Sequence, residues 1–133
     1  MIVGLGNDLI DIRRIERMLI RYEDRFIQRI FTDIEQKKSE NLAEKSSFYA
    51  KRFAAKEACA KALGTGIACG VSWQDMEVVN LPSGKPIMKL KSRAQMQLRK
   101  LLPPHYDAVV HLSLTDDFPW AQAFIIIEAL PRG

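Results

Sequence analysis

A helix-forming stretch near the middle of the chain, "RFAAKEACAKALGTG", carries residue types that bind a charged ligand. Glu57 and Lys61 are four residues apart, so they lie on the same face of a helix. The "GTG" turn follows at residues 64–66, where small residues leave backbone N–H groups accessible. A carboxylate for a divalent cation, a lysine and free N–H groups are the parts of a diphosphate site. The alternative is an exposed ion pair between Glu57 and Lys61 that binds no ligand.

A second carboxylate, Asp8, follows the first apolar segment of the chain, "MIVGLGN". At the end of a strand, beside glycines that let another group approach, an aspartate can be a metal ligand. An aspartate that caps a loop is the alternative. The glycines do not form a dinucleotide fingerprint, because "GLGNDL" lacks the third glycine, and "GTGIACG" is not followed by the Gly-Lys-Ser/Thr of a P-loop.

One histidine also lies where it could contact a ligand. In "VVHLSLT", His111 alternates with Val110 and Leu112, so its side chain lies on the other face of the predicted strand. A contact with a phosphate or an adenine ring is possible, and an ordinary strand histidine is the alternative.

The apolar spacing along the chain predicts the order β, three helices, ββ, α, ββ. A strand at the N-terminus precedes a helix over residues 13–30, and the capping box of Thr32 and Glu35 begins a short helix. The long helix "SSFYAKRFAAKEACAKAL" ends at Gly64, and a Pro-Ser-Gly turn joins the next two strands. The fold class is therefore α+β, a mostly antiparallel sheet with helices packed on it, in a single domain spanning residues 1–133.

The first helix carries a basic stripe beside its apolar one. At about 100° per residue, four arginines share one stripe, and Met18 borders both stripes. The pattern alone favours a solvated basic face, with a docking surface for an acidic partner as the alternative. The arginines are Arg14, Arg17, Arg21 and Arg25.

The composition narrows the class of partner and the compartment. The chain has 133 residues, a net charge of +4 and a pI of about 9.2, so an acidic partner is expected. Nucleic acid is disfavoured because Tyr22 and Phe26 lie on the apolar face of the first helix. No apolar run reaches the ~20 residues of a membrane span, and no basic segment opens a secretory signal. Cys59 and Cys69 match no metal spacing, which indicates reduced thiols in a cytoplasmic protein.

Several segments together resemble one family. The stretch "FYAKRFAAKEACAKALGTGI" matches, nearly throughout, the diagnostic motif of the small bacterial 4′-phosphopantetheinyl transferases, the holo-(acyl-carrier-protein) synthases. "GLGNDLIDIRRIE" resembles the opening of that family, and "SGKP" and "HLSLTDD…IIIE" match its later segments in order. The resemblance covers essentially the whole chain. Ile10 departs from the acidic residue that larger members of the superfamily often have, so two carboxylates must suffice here.

The resemblance implies a reaction and a set of site residues. The 4′-phosphopantetheine arm of coenzyme A moves to a serine of apo acyl carrier protein in fatty acid biosynthesis, and adenosine 3′,5′-bisphosphate is released. The family implies that Asp8 and Glu57 hold Mg²⁺ and that Lys61 contacts the diphosphate. Glu57, directly or through a metal-bound water, is the best candidate for the base, whose identity stays open. It also implies a ferredoxin-like subunit in a homotrimer with active sites between subunits. The implied coenzyme A contacts are Arg52, Lys61, Gly64, Thr65, Gly66, Pro86 and His111, and the implied carrier-protein contacts are Arg14, Met18, Arg21 and Arg25.

Two other classes of function stay open. A different Mg²⁺-dependent enzyme acting on a nucleotide diphosphate, such as a hydrolase, would use the same carboxylates but would not need the basic helix. A non-enzymatic module could bind an acidic partner through that helix alone.

Overall fold

The computed structural model of the chain describes residues 1–67 and 70–133. The predicted order of strands and helices is confirmed, except that the first helix is divided in two. The elements are β1 (Ile2–Asp11), α1 (Ile12–Tyr22), α2 (Asp24–Ile30), α3 (Asp33–Ser39), α4 (Ser46–Ala62), a 3₁₀ turn (Trp73–Asp75), β2 (Met76–Asn80), β3 (Pro86–Leu90), α5 (Ser92–Lys100), β4 (Tyr106–Asp117) and β5 (Trp120–Pro131).

The strands form two antiparallel sheets. A three-stranded sheet has the order β1-β5-β4, and β2 pairs with β3 in a separate hairpin. The register places Asp8 opposite Ala123, in the neighbouring strand. Asp8 therefore lies within β1, which continues to Asp11, so the expectation that it stands at the end of the strand is wrong. The α+β class with antiparallel pairing is confirmed, although the strands do not form one continuous sheet.

The first helix breaks at Glu23, whose φ of 47° lies in the left-handed region. α1 therefore ends at Tyr22 and α2 begins at Asp24, so the prediction of one helix over residues 13–30 is wrong. The apolar spacing continued across the break because Phe26 and Ile30 are buried in the same core as α1. Arg25 consequently lies on α2, outside the arginine stripe of α1.

α4 is the central helix of the fold and is buried along most of its length. Its alanines allow β1 to approach its backbone closely, since a Cβ on Gly6 would lie 1.8 Å from the carbonyl oxygen of Ala58. Every second residue of β5 from Ala121 to Ala129 faces α4 and is buried. This packing holds the end of β1 against the face of α4 that carries Glu57.

The face of the three-stranded sheet opposite α4 is apolar and exposed. We call it the outer sheet face. Its large apolar side chains are between 37% and 64% exposed. They include Leu5, Leu9, Val109, Phe124 and Ile126.

Several local predictions are confirmed. Thr32 and Glu35 form the capping box of α3, Gly64 has a φ of 82° after α4, and Gly84 has a φ of 92° in the β2–β3 turn. Cys59 is buried, which raises the pKa of its thiol to about 12. Cys69 lies outside the described residues. Within residues 1–67 and 70–133 there is no helix with the length and apolar character needed to cross a membrane.

Candidate active site

A small cavity of about 220 Å³ lies where the end of β1 meets α1 and α4. The structure brings the three predicted catalytic residues together here, although Asp8 comes from β1 and the other two from α4. The close approach of β1 to α4 at Gly6 produces this arrangement. The lining residues are Asp8, Leu9, Ile10, Arg14, Phe53, Glu57 and Lys61.

Lys61 makes its ion pair with Asp8. Its Nζ donates to Asp8 Oδ1 at 3.1 Å and to the backbone carbonyl of Asn7 at 3.0 Å. The side chain of Lys61 is 52% exposed and that of Asp8 is 18% exposed. The lysine thus bridges two elements at the edge of the cavity, which is not the local helix pair that the spacing to Glu57 allowed.

Glu57 is a half-buried carboxylate beside a second negative charge. Burial raises its pKa, the charge of Asp8 raises it further, and Lys61 and Arg14 only partly oppose this. Two carboxylates that raise each other's energy in one cavity suit a divalent cation, which would relieve the repulsion. Mg²⁺ in particular binds through one or two carboxylates together with substrate phosphates and water. In the described part of the chain, no three His, Cys, Asp or Glu side chains form a metal cluster, so Asp8 and Glu57 are a minimal ligand pair.

The "GTG" turn after α4 uses its N–H groups within the protein. Gly64 N–H donates to the carbonyl of Lys61, and the N–H groups of Thr65 and Gly66 both donate to Ala60. These bonds satisfy the free carbonyls at the end of the helix. The expectation that the turn offers free N–H groups is therefore wrong. Both glycines are open, with no atom within 4 Å of an added Cβ, so a ligand can still approach the turn closely.

Arg52 and Pro86 line a different cavity of about 570 Å³. The guanidinium of Arg52 stacks over Phe48 at 3.7 Å and donates to Asn80 Oδ1 at 3.1 Å. Its Nε has no hydrogen-bond partner among residues 1–67 and 70–133. Burial lowers the pKa of Arg52 to about 10. Lys38 and Lys51 add positive charge to this cavity. Neither Arg52 nor Pro86 lines the cavity of Asp8 in the same copy of the chain.

His111 lies on the outer sheet face. Its Nε2 is 3.0 Å from Glu128 Oε1 in the neighbouring strand. Asp8 is paired with the buried Ala123 and points to the opposite side of the sheet. Within one copy the structure therefore does not bring His111 to the catalytic cavity.

A third cavity, of about 660 Å³, is an apolar groove between α2 and Trp73. We call it the α2 groove. Met18 and Arg25 line it, whereas Arg14 lines the catalytic cavity and Arg21 is exposed beside Tyr22. Phe53 lines both cavities, so the groove lies next to the catalytic cavity. The full lining is Met18, Tyr22, Arg25, Phe26, Arg29, Ile30, Phe53 and Trp73.

Sequence reasoning missed two members of this region. Phe53 is one helical turn before Glu57 and could have been found from its position on that face of α4. Trp73 comes from the segment after α4, and nothing in the spacing connects it to α2.

Known proteins share both the sequence and this architecture. The profile of a family described as the 4′-phosphopantetheinyl transferase superfamily matches residues 4–123. The chain belongs to this superfamily. The resemblance seen in its motifs is thereby confirmed.

Relatives within the superfamily carry one name. The chain is 85% identical over 133 residues, with all of both chains covered, to a holo-[acyl-carrier-protein] synthase of Bartonella quintana. It is 64% identical to one of Mesorhizobium japonicum, covering 98% of this chain and 96% of the relative.

Solved transferase structures share the fold. A holo-(acyl-carrier-protein) synthase of Bacillus anthracis in complex with CoA (3′,5′-ADP) has a TM-score of 0.77 at 39% identity, with 96% of each chain covered. One of Neisseria meningitidis has a TM-score of 0.83 at 33% identity, covering 96% of this chain and 99% of the other.

Proposed function

We propose that the chain transfers the 4′-phosphopantetheine group of coenzyme A to a serine hydroxyl of apo acyl carrier protein, in a Mg²⁺-dependent reaction that serves fatty acid biosynthesis. The observation that carries the proposal is the cavity in which Asp8, Glu57 and Lys61 meet, in a chain of this superfamily. The serine oxygen bonds to the phosphorus that carries the pantetheine arm. The bond from that phosphorus to the bridging oxygen breaks, and adenosine 3′,5′-bisphosphate leaves.

Asp8 and Glu57 would hold the Mg²⁺ ion, which supplies charge neutralisation at the diphosphate when bound. Lys61, at the edge of the cavity, would neutralise charge that develops on the leaving 5′-phosphate of adenosine 3′,5′-bisphosphate. Glu57 is the proposed base for the serine proton, because its raised pKa makes the carboxylate a stronger acceptor. Gly64, Thr65 and Gly66 would let the donor lie close to the end of α4.

The proposed docking site for the carrier protein combines α1 and the α2 groove. Arg14 and Arg21 on α1 would pair with its carboxylates, since the planar guanidinium binds carboxylates in bidentate fashion. Arg25 and Met18 would contact it at the groove.

We further propose a homotrimer in the cytoplasm, with active sites between subunits. Coenzyme A has an adenosine end and a pantetheine end, and the residues expected to bind it line two cavities. Within one copy, the cavity lined by Asp8 is separate from the cavity lined by Arg52 and Pro86. A second copy packed on the outer sheet face would cover exposed apolar side chains there and bring a second cavity, and His111, into reach. Mixing inactive Asp8→Asn subunits with inactive Arg52→Ala subunits should then restore activity, whereas sites contained in one copy would stay inactive.

The test of the function is product analysis with coenzyme A and Mg²⁺, with and without apo acyl carrier protein. Release of adenosine 3′,5′-bisphosphate only when the carrier is present supports transfer. Release without the carrier would instead indicate a nucleotide-diphosphate hydrolase. Carrier binding without any product would indicate a non-enzymatic binding module.

A further inference from the structure

A fully buried lysine lies beneath the α2 groove. Lys56 on α4 is 0% exposed, and its Nζ donates to the backbone carbonyl of Ile30 at 2.7 Å and to that of Trp73 at 3.1 Å. Ile30 and Trp73 both line the α2 groove, one from α2 and one from the 3₁₀ turn. One ammonium group therefore connects two walls of the groove from below.

The third partner of this ammonium group is a buried carboxylate. Glu35 Oε1 lies 2.7 Å from Lys56 Nζ and also accepts from the N–H of Thr32, while its Oε2 accepts from the N–H of Val78 at 2.9 Å. An ammonium group has three protons to donate, and all three have acceptors here. The lysine is thus fixed to the framework of α3 and β2, and it holds the groove walls relative to that framework.

A second connection joins the same walls from the surface. The side-chain amide of Gln74, in the 3₁₀ turn, donates to the carbonyl of Gln28 at 2.9 Å and to that of Phe31 at 2.8 Å. Gln74 is exposed, so its substitution need not disturb the core. The end of α2 and the 3₁₀ turn are therefore connected twice, by Lys56 from inside and by Gln74 from outside.

Stability alone is a weak reason for such a lysine, because well-packed apolar side chains often replace a buried ion pair without loss. The geometry points to a positioning role: we infer that Lys56 and Gln74 fix the width of the α2 groove and thereby set the affinity for acyl carrier protein. This inference rests on the proposed function. Phe53 lines the groove and the catalytic cavity together, so the groove also sets where a docked carrier lies relative to Glu57.

The test compares Lys56→Met and Gln74→Ala with the parent enzyme in steady-state transfer. Each substitution should raise the KM for apo acyl carrier protein, by about tenfold for Lys56→Met and less for Gln74→Ala, because small displacements of binding groups are costly. The KM for coenzyme A should stay within about twofold of the parent, since the walls of the Asp8 cavity are not held by these bonds. Ile127→Ala, in the core of β5, is the control, because it lowers the melting temperature without touching the groove.

A double variant separates positioning from stability. Adding Glu35→Gln to Lys56→Met removes the buried negative charge that has lost its ammonium partner, so the melting temperature should rise above that of Lys56→Met. The KM for the carrier should stay raised, because the carbonyls of Ile30 and Trp73 still lack their common donor. Amide hydrogen exchange in α2 and the 3₁₀ turn should be faster in Gln74→Ala than in the parent, with or without substrates.

The outcomes are distinct. If the parent enzyme transfers no phosphopantetheine, the proposed function fails. The hydrogen-exchange measurement is independent of that result: unchanged exchange in Gln74→Ala would show that Gln74 does not hold the two groove walls together. If the parent is active and both variants keep their carrier KM, the inference is overturned. A rise in both KM values, or the same rise in Ile127→Ala, would assign Lys56 to stability and also overturn it. Should Lys56→Met not fold, Gln74→Ala decides.

Discussion

Asp8 and Glu57 are two acidic side chains that share a cavity with a single neighbouring lysine. Their mutual repulsion and the burial of Glu57 together raise the pKa of Glu57. A carboxylate pair of this kind is unfavourable for a protein unless a cation or a reaction uses it. The residues at this position are therefore expected to affect turnover far more than folding.

The first prediction concerns this pair. Asp8→Asn and Glu57→Gln should each lower kcat/KM by on the order of 100-fold or more, because each removes an anionic ligand while keeping the shape of the side chain. The melting temperature should stay the same or rise, since the repulsion between the two carboxylates is removed. Glu16→Gln on the exposed side of α1 is the matched control. Near-parental turnover of either variant at saturating Mg²⁺ would contradict the two-carboxylate site.

The second prediction concerns Lys61. An exposed ion pair such as Lys61–Asp8 contributes only about 0–1 kcal/mol to stability, so Lys61→Met should leave the unfolding free energy nearly unchanged. The kcat should nevertheless fall by on the order of 10–100-fold, because the charge that develops on the leaving 5′-phosphate loses a neighbouring cation. Kinetics and thermal melting of one sample measure both effects. Lys100→Met, at the end of α5, is the control variant. If Lys61→Met kept the kinetics of the parent enzyme, Lys61 would have a structural role only.

At this scale the sequence predicted part of the site. Glu57 and Lys61 could be found because four-residue spacing fixes a shared helix face. Asp8 could be found as a carboxylate that follows Gly6, although it lies within β1 and not at its end. The pairing of Lys61 with Asp8 could not be found, since it depends on how closely β1 approaches α4. The internal use of the N–H groups of Thr65 and Gly66 is likewise a matter of how α4 ends.

α1 and α2 show how a helical pattern can continue through a break. The apolar residues keep their spacing across Glu23, because both helices bury their side chains in one core. The break separates arginines that the spacing placed on one helix, so Arg21 lies on α1 and Arg25 on α2. Periodicity predicts which residues are buried more reliably than it predicts where a helix ends.

The third prediction concerns the docking of the carrier protein. Arg21→Glu should raise the KM for apo acyl carrier protein by about tenfold or more, through repulsion of an acidic partner, and leave the KM for coenzyme A nearly unchanged. Arg25→Glu should act in the same direction because Arg25 lines the α2 groove. Arg14→Glu is less selective, since Arg14 also lines the catalytic cavity.

The control for docking is Arg99→Glu in the last turn of α5, which changes the net charge by the same amount. Added salt should weaken carrier binding by the parent, since exposed charges are screened beyond ~8–10 Å. If Arg21→Glu and Arg99→Glu had the same effect on carrier kinetics, α1 would not be the docking helix.

The fourth prediction concerns the contact of β1 with α4. Gly6→Ala would place a methyl group 1.8 Å from the carbonyl oxygen of Ala58, so the strand must move away from the helix. The substitution is expected to lower the free energy of unfolding by ~1–3 kcal/mol or more. Because Asp8 moves with the strand, the activity should fall by more than the fraction of folded protein does. Chemical denaturation and kinetics on the same preparation measure this. Gly133→Ala, which meets no atom within 4 Å, should have no effect. A fully active Gly6→Ala would show that the position of β1 does not set the site.

At the scale of the whole molecule, the charged cavities and the exposed outer sheet face lie in different places. The catalytic cavity and the cavity of Arg52 lie apart, and His111 lies on the outer sheet face. The sequence predicted the α+β class because the helical and alternating patterns were long and distinct. The sequence could not predict the division into two sheets, because that depends on strand pairing between distant segments. The composition gave no information on the number of subunits.

The central claim is that this chain transfers a 4′-phosphopantetheine group to a serine of the carrier protein, and that the cavity lined by Asp8 is the active site. Intact-mass spectrometry of apo acyl carrier protein after incubation with the enzyme, coenzyme A and Mg²⁺ tests it most directly, with the Asp8→Asn enzyme in parallel. The account predicts a mass increase of one 4′-phosphopantetheine group, located on a single serine, with the parent enzyme and almost none with Asp8→Asn. An unmodified carrier protein with the folded parent enzyme, or equal modification by Asp8→Asn, would contradict it.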